Sequence, residues 1–380
     1  MRFRSLFGFV LLFAVHPAEG VRPLKRQWDW KSRLTKSAKE RGIPGLVLQY
    51  RDLHGGGKII FGDFGVRDRS VAMEDALFPI GSVSKVLLAL AVLQLRDRGR
   101  IDLEDPVTMH LRELKDLPNF GGAGDGVIRL IHLLSHTAGL PRGEVPEPPK
   151  TLEALVEGLK AFTPTTRPGA EIVYSNVGMA LLSAVVERVT GKPYKTHLKE
   201  SVLASLGLRD TYADSADAPV SKLVTGHLHK GDTHIPSNGR IRKDLYGNIS
   251  GAVSTSSDLY RLLSYLLGSR LDGSQTPPGL RDTTVQSSFQ PVFPHAKAGS
   301  SRKLAYQQGM PWRIEEPIVY HMGDTLTRTV FLGLIPQQVG LTALMNTGSR
   351  DDLYWMHDQM FSILEGLRED QRQSSHETER

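Results

Sequence analysis

Two spacings of apolar residues divide this chain. Leu46-Val47-Leu48-Gln49-Tyr50 and Lys58-Ile59-Ile60-Phe61-Gly62 are short apolar runs. They flank His54-Gly55-Gly56-Gly57 and predict a hairpin turning at those residues. Ile318 to Gly323, Thr329 to Ile335 and Val339 to Asn346 predict three tightly joined strands, an antiparallel meander. Elsewhere the spacing is helical. Leu152, Leu155, Val156, Leu159 and Phe162 form one stripe, and Val177 to Val189, closed by Gly191, forms another. Thr255-Ser256-Ser257-Asp258 reads as a capping box opening a helix with Leu259, Leu262, Leu263, Leu266 and Leu267 on one side. Ser349 caps a last helix that turns Leu353, Met356, Met360, Ile363 and Leu364 inward, and a polar helix is expected around Lys31 to Arg41. From Gly99 to Arg209 strand signals are scarce. The pattern predicts a mostly helical insertion, about 99–250, within a domain spanning 21–365.

One stretch departs from both spacings. Val86 to Leu93 carries no polar residue on any side, so this helix is expected in the middle of a domain. Phe78-Pro79-Ile80-Gly81-Ser82-Val83-Ser84-Lys85 leads into it. Ser82 therefore stands at a helix mouth, where free N–H groups favour developing negative charge. Lys85, three residues on, shares its helical face. An ammonium beside an apolar core loses basicity and serves as a base near neutral pH, which would make Ser82 a nucleophile. Ser300-x-x-Lys303 repeats the letters in a polar loop with no apolar helix behind it.

The 380 residues are 40% hydrophobic and 23% charged, an ordinary globular composition long enough for two domains or one with a large insertion. The net charge of +6 is scattered, without a basic run, which argues against a nucleic-acid partner. Arg2 and Arg4, the apolar run Leu6 to Val15 and Pro17-Ala18-Glu19-Gly20 have the layout of a secretory signal over 1–20. Export to the periplasm or medium is expected, with no transmembrane segment after the signal. Cysteine is absent, so no thiol chemistry or disulfide arises. Residues 366–380 are charged and expected to be disordered. His227, His229 and His234 with Asp232 invite a metal, but strand–turn–strand around Lys230-Gly231-Asp232 is the preferred reading. No metal or cofactor is implied. His54-Gly55-Gly56-Gly57 resembles a lipase oxyanion loop, yet the Gly-x-Ser-x-Gly those enzymes need is missing.

Tyr174-Ser175-Asn176 lies between Pro168-Gly169 and the helix starting near Val177. In an extended segment Tyr174 and Asn176 point the same way. A phenol near an ammonium is acidified and can take and return the Ser82 proton, while the Asn176 amide can meet substrate and Lys85. Tyr246-Gly247-Asn248 is a rival match. His321-Met322-Gly323 ends a strand, and glycine there allows close approach of a ligand. The N–H of Asp324 can then join that of Ser82 as an oxyanion hole. Lys297-Ala298-Gly299 is the rival for this third motif.

Ser82-x-x-Lys85, Tyr174-x-Asn176 and His321-x-Gly323, in that order, resemble the serine β-lactamase and penicillin-binding-protein superfamily, in its class C-like branch of esterases, D-amino-acid peptidases and β-lactamases. Leu133-Leu134-Ser135-His136-Thr137-Ala138-Gly139-Leu140-Pro141 and Met345-Asn346-Thr347-Gly348 extend the likeness from about Lys31 to Leu364. The resemblance implies an α+β fold: an antiparallel sheet flanked by helices, built from both chain ends, with a mostly helical region inserted. It also implies roles: Ser82 as nucleophile, Lys85 and Tyr174 in proton transfer, Asn176 in substrate positioning, and the Ser82 and Asp324 amides as the oxyanion hole. The implied substrate is a small molecule or peptide-like compound. Two departures stand out. His321 occupies the place where β-lactamases and many peptidases carry a lysine for the substrate carboxylate. Asp324 follows the motif where relatives have Gly, Ser or Thr. Three readings follow: a hydrolase of esters or D-amino-acid amides, a weak β-lactamase or cell-wall peptidase, and a non-catalytic peptidoglycan or β-lactam binder.

Overall fold

The computed structural model describes residues 29–378, apart from 53–54, 118–119, 121–125, 144–148, 165, 231–232, 238–243, 269–275, 298 and 302–303. The signal-like segment, His54 and Asp232 thus lie outside the described residues. Among those described, an eight-stranded antiparallel sheet forms the centre. Its order is Gly55–Gly62, Gly45–Asp52, Val339–Met345, Thr329–Ile335, Ile318–Asp324, Arg313–Glu315, Leu304–Gln308, Gly299–Ser301. The meander pairs Gly323 with Val330 and Val330 with Leu344, and the N-terminal hairpin joins it through Val47 and Leu344. Both chain ends therefore build one sheet, an α+β architecture. Gly55 to Gly57, expected in the turn, already lie in the second strand, and Asp52 pairs with Gly55.

The strands read as apolar runs because the sheet is covered on both faces. Trp30, Leu34 and Ala38 of helix Trp30–Glu40, with Met356, Met360, Ile363, Leu364 and Leu367 of helix Arg350–Thr378, pack on one face. They meet Leu46, Leu48, Tyr320, Phe331 and Leu341. The alternate residues Val47, Val319, Val330, Leu332 and Leu344 face the larger core that holds the Val86 to Leu95 helix. By this two-residue alternation, Val319, His321 and Gly323 share the inner face.

The charged tail does not behave as expected from its composition. Helix Arg350–Thr378 runs through it, Leu367 is buried, and the Gln371 amide donates to the Gln338 carbonyl at 3.2 Å. One apolar anchor beyond Gly366 and an unbroken helical pattern outweigh a polar composition. The insertion is mostly helical but contains the hairpin Gly226–Lys230 and Thr233–Ser237. There His229 pairs with His234, ring centroids 4.4 Å apart. Among the described residues Asp352 is their acidic neighbour, and Arg41, His229 and Thr347 already bond its carboxylate. The expected capping box is half formed. The Asp258 N–H donates to Thr255 Oγ1 at 3.0 Å, while the Asp258 carboxylate turns to Thr211 and the Asp210 N–H.

Candidate active site

Gly81–Val83 forms a tight turn just ahead of helix Ser84–Asp97, in which every residue from Ser84 to Leu95 is buried. The turn is anchored on both sides. Ile80 N donates to Ala252 O (3.0 Å) and Ala252 N to Ser84 Oγ (3.3 Å), while Phe78 and Pro79 pair with Ser254 and Val253. On the other side the strand Ile318–Asp324 presses against it. A Cβ at Gly323 would lie 2.0 Å from the Ile80 oxygen and 3.3 Å from Ser82 N. A Cβ at Gly81, whose φ is +53°, would lie 3.1 Å from Asp324 N. Two glycines thus let the strand and the turn approach closely, with the Ser82 and Asp324 nitrogens beside the contact, where an oxyanion hole is expected.

Lys85 is fully buried, and its ammonium donates to Ser82 Oγ at 3.1 Å and to the Ile249 carbonyl at 3.3 Å. Burial holds it below the ordinary lysine range, against the pull of Tyr174. The Tyr174 ring lies beside this ammonium, its centroid 5.2 Å away, and its phenol feels hydrogen bonding from Lys85 and Ser82. Burial would raise its pKa, but the Lys85 charge and these hydrogen bonds outweigh burial and leave it below the ordinary tyrosine value. Ammonium, phenol and hydroxyl thus lie together at the mouth of the helix.

Tyr174 reaches the site from a pinned segment. Ser175 caps helix Asn176–Thr190, its Oγ accepting from Gly178 N at 2.9 Å and donating to Pro141 O at 2.7 Å. Asn176 is therefore the first helical residue rather than the end of an extended one. Its N–H donates to Arg142 O, and its amide lies 3.5 Å from the Cβ position of Gly143. The expected bond from Asn176 to Lys85 is replaced by the one to Ile249. That carbonyl belongs to helix Gly247–Ser250, which follows the rival Tyr246.

His321 is buried, and its Nδ1 donates to the Met322 carbonyl at 3.0 Å. Burial, then the charges of Lys85 and Arg313, push its pKa well below the ordinary histidine value, so the ring is neutral. Asp324 is exposed, and its carboxylate accepts from Leu326 N at 2.7 Å. This turns the carboxylate into its own loop. The rival third motif sits far across the sheet, Gly299 opening the outermost strand Gly299–Ser301 that also carries Ser300.

Two arginines were not legible in the sequence. The guanidinium carbons of Arg142 and Arg313 lie 5.2 and 5.7 Å from the centroid of the Tyr174 ring, and Arg313 also lies 4.8 Å from that of Tyr306. Neither belongs to a spaced motif, so only folding brings them to the pocket. They supply the fixed positive charge that His321 does not.

The Beta-lactamase family model matches residues 30–357. Protein flp of Staphylococcus aureus (strain NCTC 8325 / PS 47) is 26% identical over 279 residues, covering 72% of this chain and 53% of its own. A protein named Beta-lactamase from Yersinia enterocolitica is 26% identical over 250 residues, covering 65% and 60%. The chain thus spans about half the length of the first of these curated relatives. Among solved structures, the class C beta lactamase from Rhodobacter sphaeroides superposes with a TM-score of 0.71 at 21% identity, covering 89% of this chain and all of its own. The octameric penicillin-binding protein homologue from Pyrococcus abyssi gives 0.68 at 21%, covering 84% and 73%. With the family model matched across most of its length and the fold shared with these structures, the chain belongs to the Beta-lactamase family.

Proposed function

We propose that this chain is an exported serine hydrolase that forms an acyl-enzyme on Ser82, acting on an ester or a D-amino-acid-containing amide. The observation that carries the reading is the buried Lys85 ammonium on Ser82 Oγ, with the Tyr174 ring 5.2 Å from that ammonium. Tyr174, as the phenolate that the Lys85 charge favours, takes the Ser82 proton as Oγ attacks the substrate carbonyl carbon. The oxyanion settles between the Ser82 and Asp324 amides. When the tetrahedral adduct collapses, the leaving group receives the proton from Tyr174. Water then attacks the acyl-enzyme by the same route and regenerates Ser82. Neutral His321 supports substrates that need no carboxylate clamp.

Arg142 and Arg313 favour a second reading, in which the pocket takes a β-lactam or a cell-wall peptide ending in a carboxylate. The relative from Yersinia enterocolitica is itself named a beta-lactamase. The third reading, a binder without turnover, rested on a carboxylate beside the oxyanion hole. The bond from Leu326 N to Asp324 removes that support. Purified protein treated with a fluorophosphonate probe should be labelled at Ser82. A panel of p-nitrophenyl esters, D-aminoacyl anilides and nitrocefin then ranks the first two readings. No labelling and no turnover anywhere in the panel would overturn the proposal.

A further inference from the structure

His136 lies outside the three motifs, yet Tyr174 is held on it. Its carbonyl accepts from Val173 N at 2.8 Å, and its ring Nδ1 accepts from Ser175 N at 3.2 Å. The two bonds straddle Tyr174. The imidazole also packs on the phenol ring, centroids 4.5 Å apart. His136 is 1% exposed and adopts a φ of +56°, which a residue with a Cβ rarely takes. Residues on both sides of it are hydrogen-bonded in place. Ser135 Oγ donates to Ile131 O at 2.7 Å and lies 2.9 Å from Thr137 Oγ1, and Thr137 O accepts from Gly169 N.

We propose that His136 is a positioning residue for proton transfer, clamping Tyr174 on both sides of its backbone and against its ring so that the phenol stays on Ser82 and Lys85. The inference rests on the reading that Tyr174 moves the Ser82 proton. The clamp works in one protonation state only. A backbone N–H can only donate, so Nδ1 must be bare and the neutral ring carries its proton on Nε2. Protonation at Nδ1 would set two donors against each other and add a cation to a pocket that holds Lys85, Arg142 and Arg313 beside neutral His321. Burial and those cations keep the ring neutral. Nε2, buried and without a hydrogen-bond partner among the described residues, leaves the ring no competing tether.

The test is the pH profile of kcat/KM for a p-nitrophenyl ester in His136→Asn, which tolerates positive φ but loses the ring. The midpoint of an acid limb does not depend on how much enzyme is folded. With Tyr174 freed to drift from Lys85, that limb should move up by about one pH unit. Turnover should fall about ten- to a hundredfold with KM little changed. His136→Gly, which accepts the positive φ but removes the acceptor as well as the ring, should fall further. In a Tyr174→Phe background His136→Asn should add little, because both act through one phenol. An unmoved limb with uniformly lower activity would reduce His136 to a structural role and overturn the inference. If Tyr174→Phe itself left activity intact, the proposed function would fail instead. On the wild type, nitrogen-resolved NMR should show His136 with bare Nδ1 and protonated Nε2 from pH 5 to 9. A ring that titrates in that window would also overturn the inference.

Discussion

Lys85 Nζ lies 3.1 Å from Ser82 Oγ, inside a helix whose neighbouring residues are all buried. An ammonium in that position cannot be solvated as lysine is in water. It is held instead by a hydroxyl and a carbonyl, with the Tyr174 ring beside it, and those neighbours set what the site can do.

The nucleophile is expected to be Ser82 alone. Ser82→Ala should abolish probe labelling and lower turnover by several orders of magnitude, whereas Ser300→Ala, on the outermost strand, should be near neutral. Labelling stoichiometry by intact mass checks this, and undiminished labelling of Ser82→Ala would refute the assignment.

Lys85 and Tyr174 should act as one unit. Lys85→Ala and Tyr174→Phe should each cost heavily, and the double variant little more than the worse single one. Both groups lie below their ordinary pKa values. The deprotonated form of the pair is therefore present at lower pH than for free tyrosine or lysine. Activity should rise with pH through one apparent pKa of the pair and be lost below it. Tyr246→Phe is the comparison, expected to leave the profile in place. Additive losses would show that the two residues work separately.

Gly323 should tolerate no side chain. With the Ile80 carbonyl 2.0 Å from a Cβ there, Gly323→Ala must push the strand away from the Ser82 turn. Overpacking of this kind costs about 1–3 kcal/mol, and the oxyanion amides separate with it. A thermal melt and kcat should fall together. A variant with wild-type kcat would mean that the Asp324 amide takes no part.

Substrate preference should follow the arginines more than residue 321. Buried among Lys85 and Arg313, a lysine in His321→Lys would lose its charge or destabilise the fold, so it should not improve nitrocefin turnover. Arg313→Gln should instead lower kcat/KM for nitrocefin relative to p-nitrophenyl acetate. A charge-assisted contact is worth about 1.5–3 kcal/mol, or roughly ten- to a hundredfold. Should the ratio stay fixed, the guanidinium does not meet the substrate carboxylate.

The mature N-terminus is expected between Glu19 and Arg22, from the short apolar run and small residues before it. Mass spectrometry of the native protein checks this. Among the described residues no helix is long and apolar enough to cross a membrane. A species retaining Met1 in the cytosol would refute export.

What the sequence by itself determined is local and periodic. An apolar octet cannot lie on a surface, so the Val86 to Leu93 helix, with Ser82 at its mouth and Lys85 one turn on, was legible from side-chain chemistry alone. So were the meander strands, whose residues are apolar on both faces, and the three motifs that mark the family. Tertiary structure decided everything set by approach between distant segments. It turned the Asp324 carboxylate to Leu326 and passed the second Lys85 bond to Ile249 instead of Asn176. It also brought Arg142 and Arg313 to the Tyr174 ring and seated Leu367 against the sheet, so that a charged tail became helix. No periodicity reports such contacts, because a lone arginine or histidine has no spacing to betray it. Its role is fixed only when folding removes water and leaves it one set of neighbours.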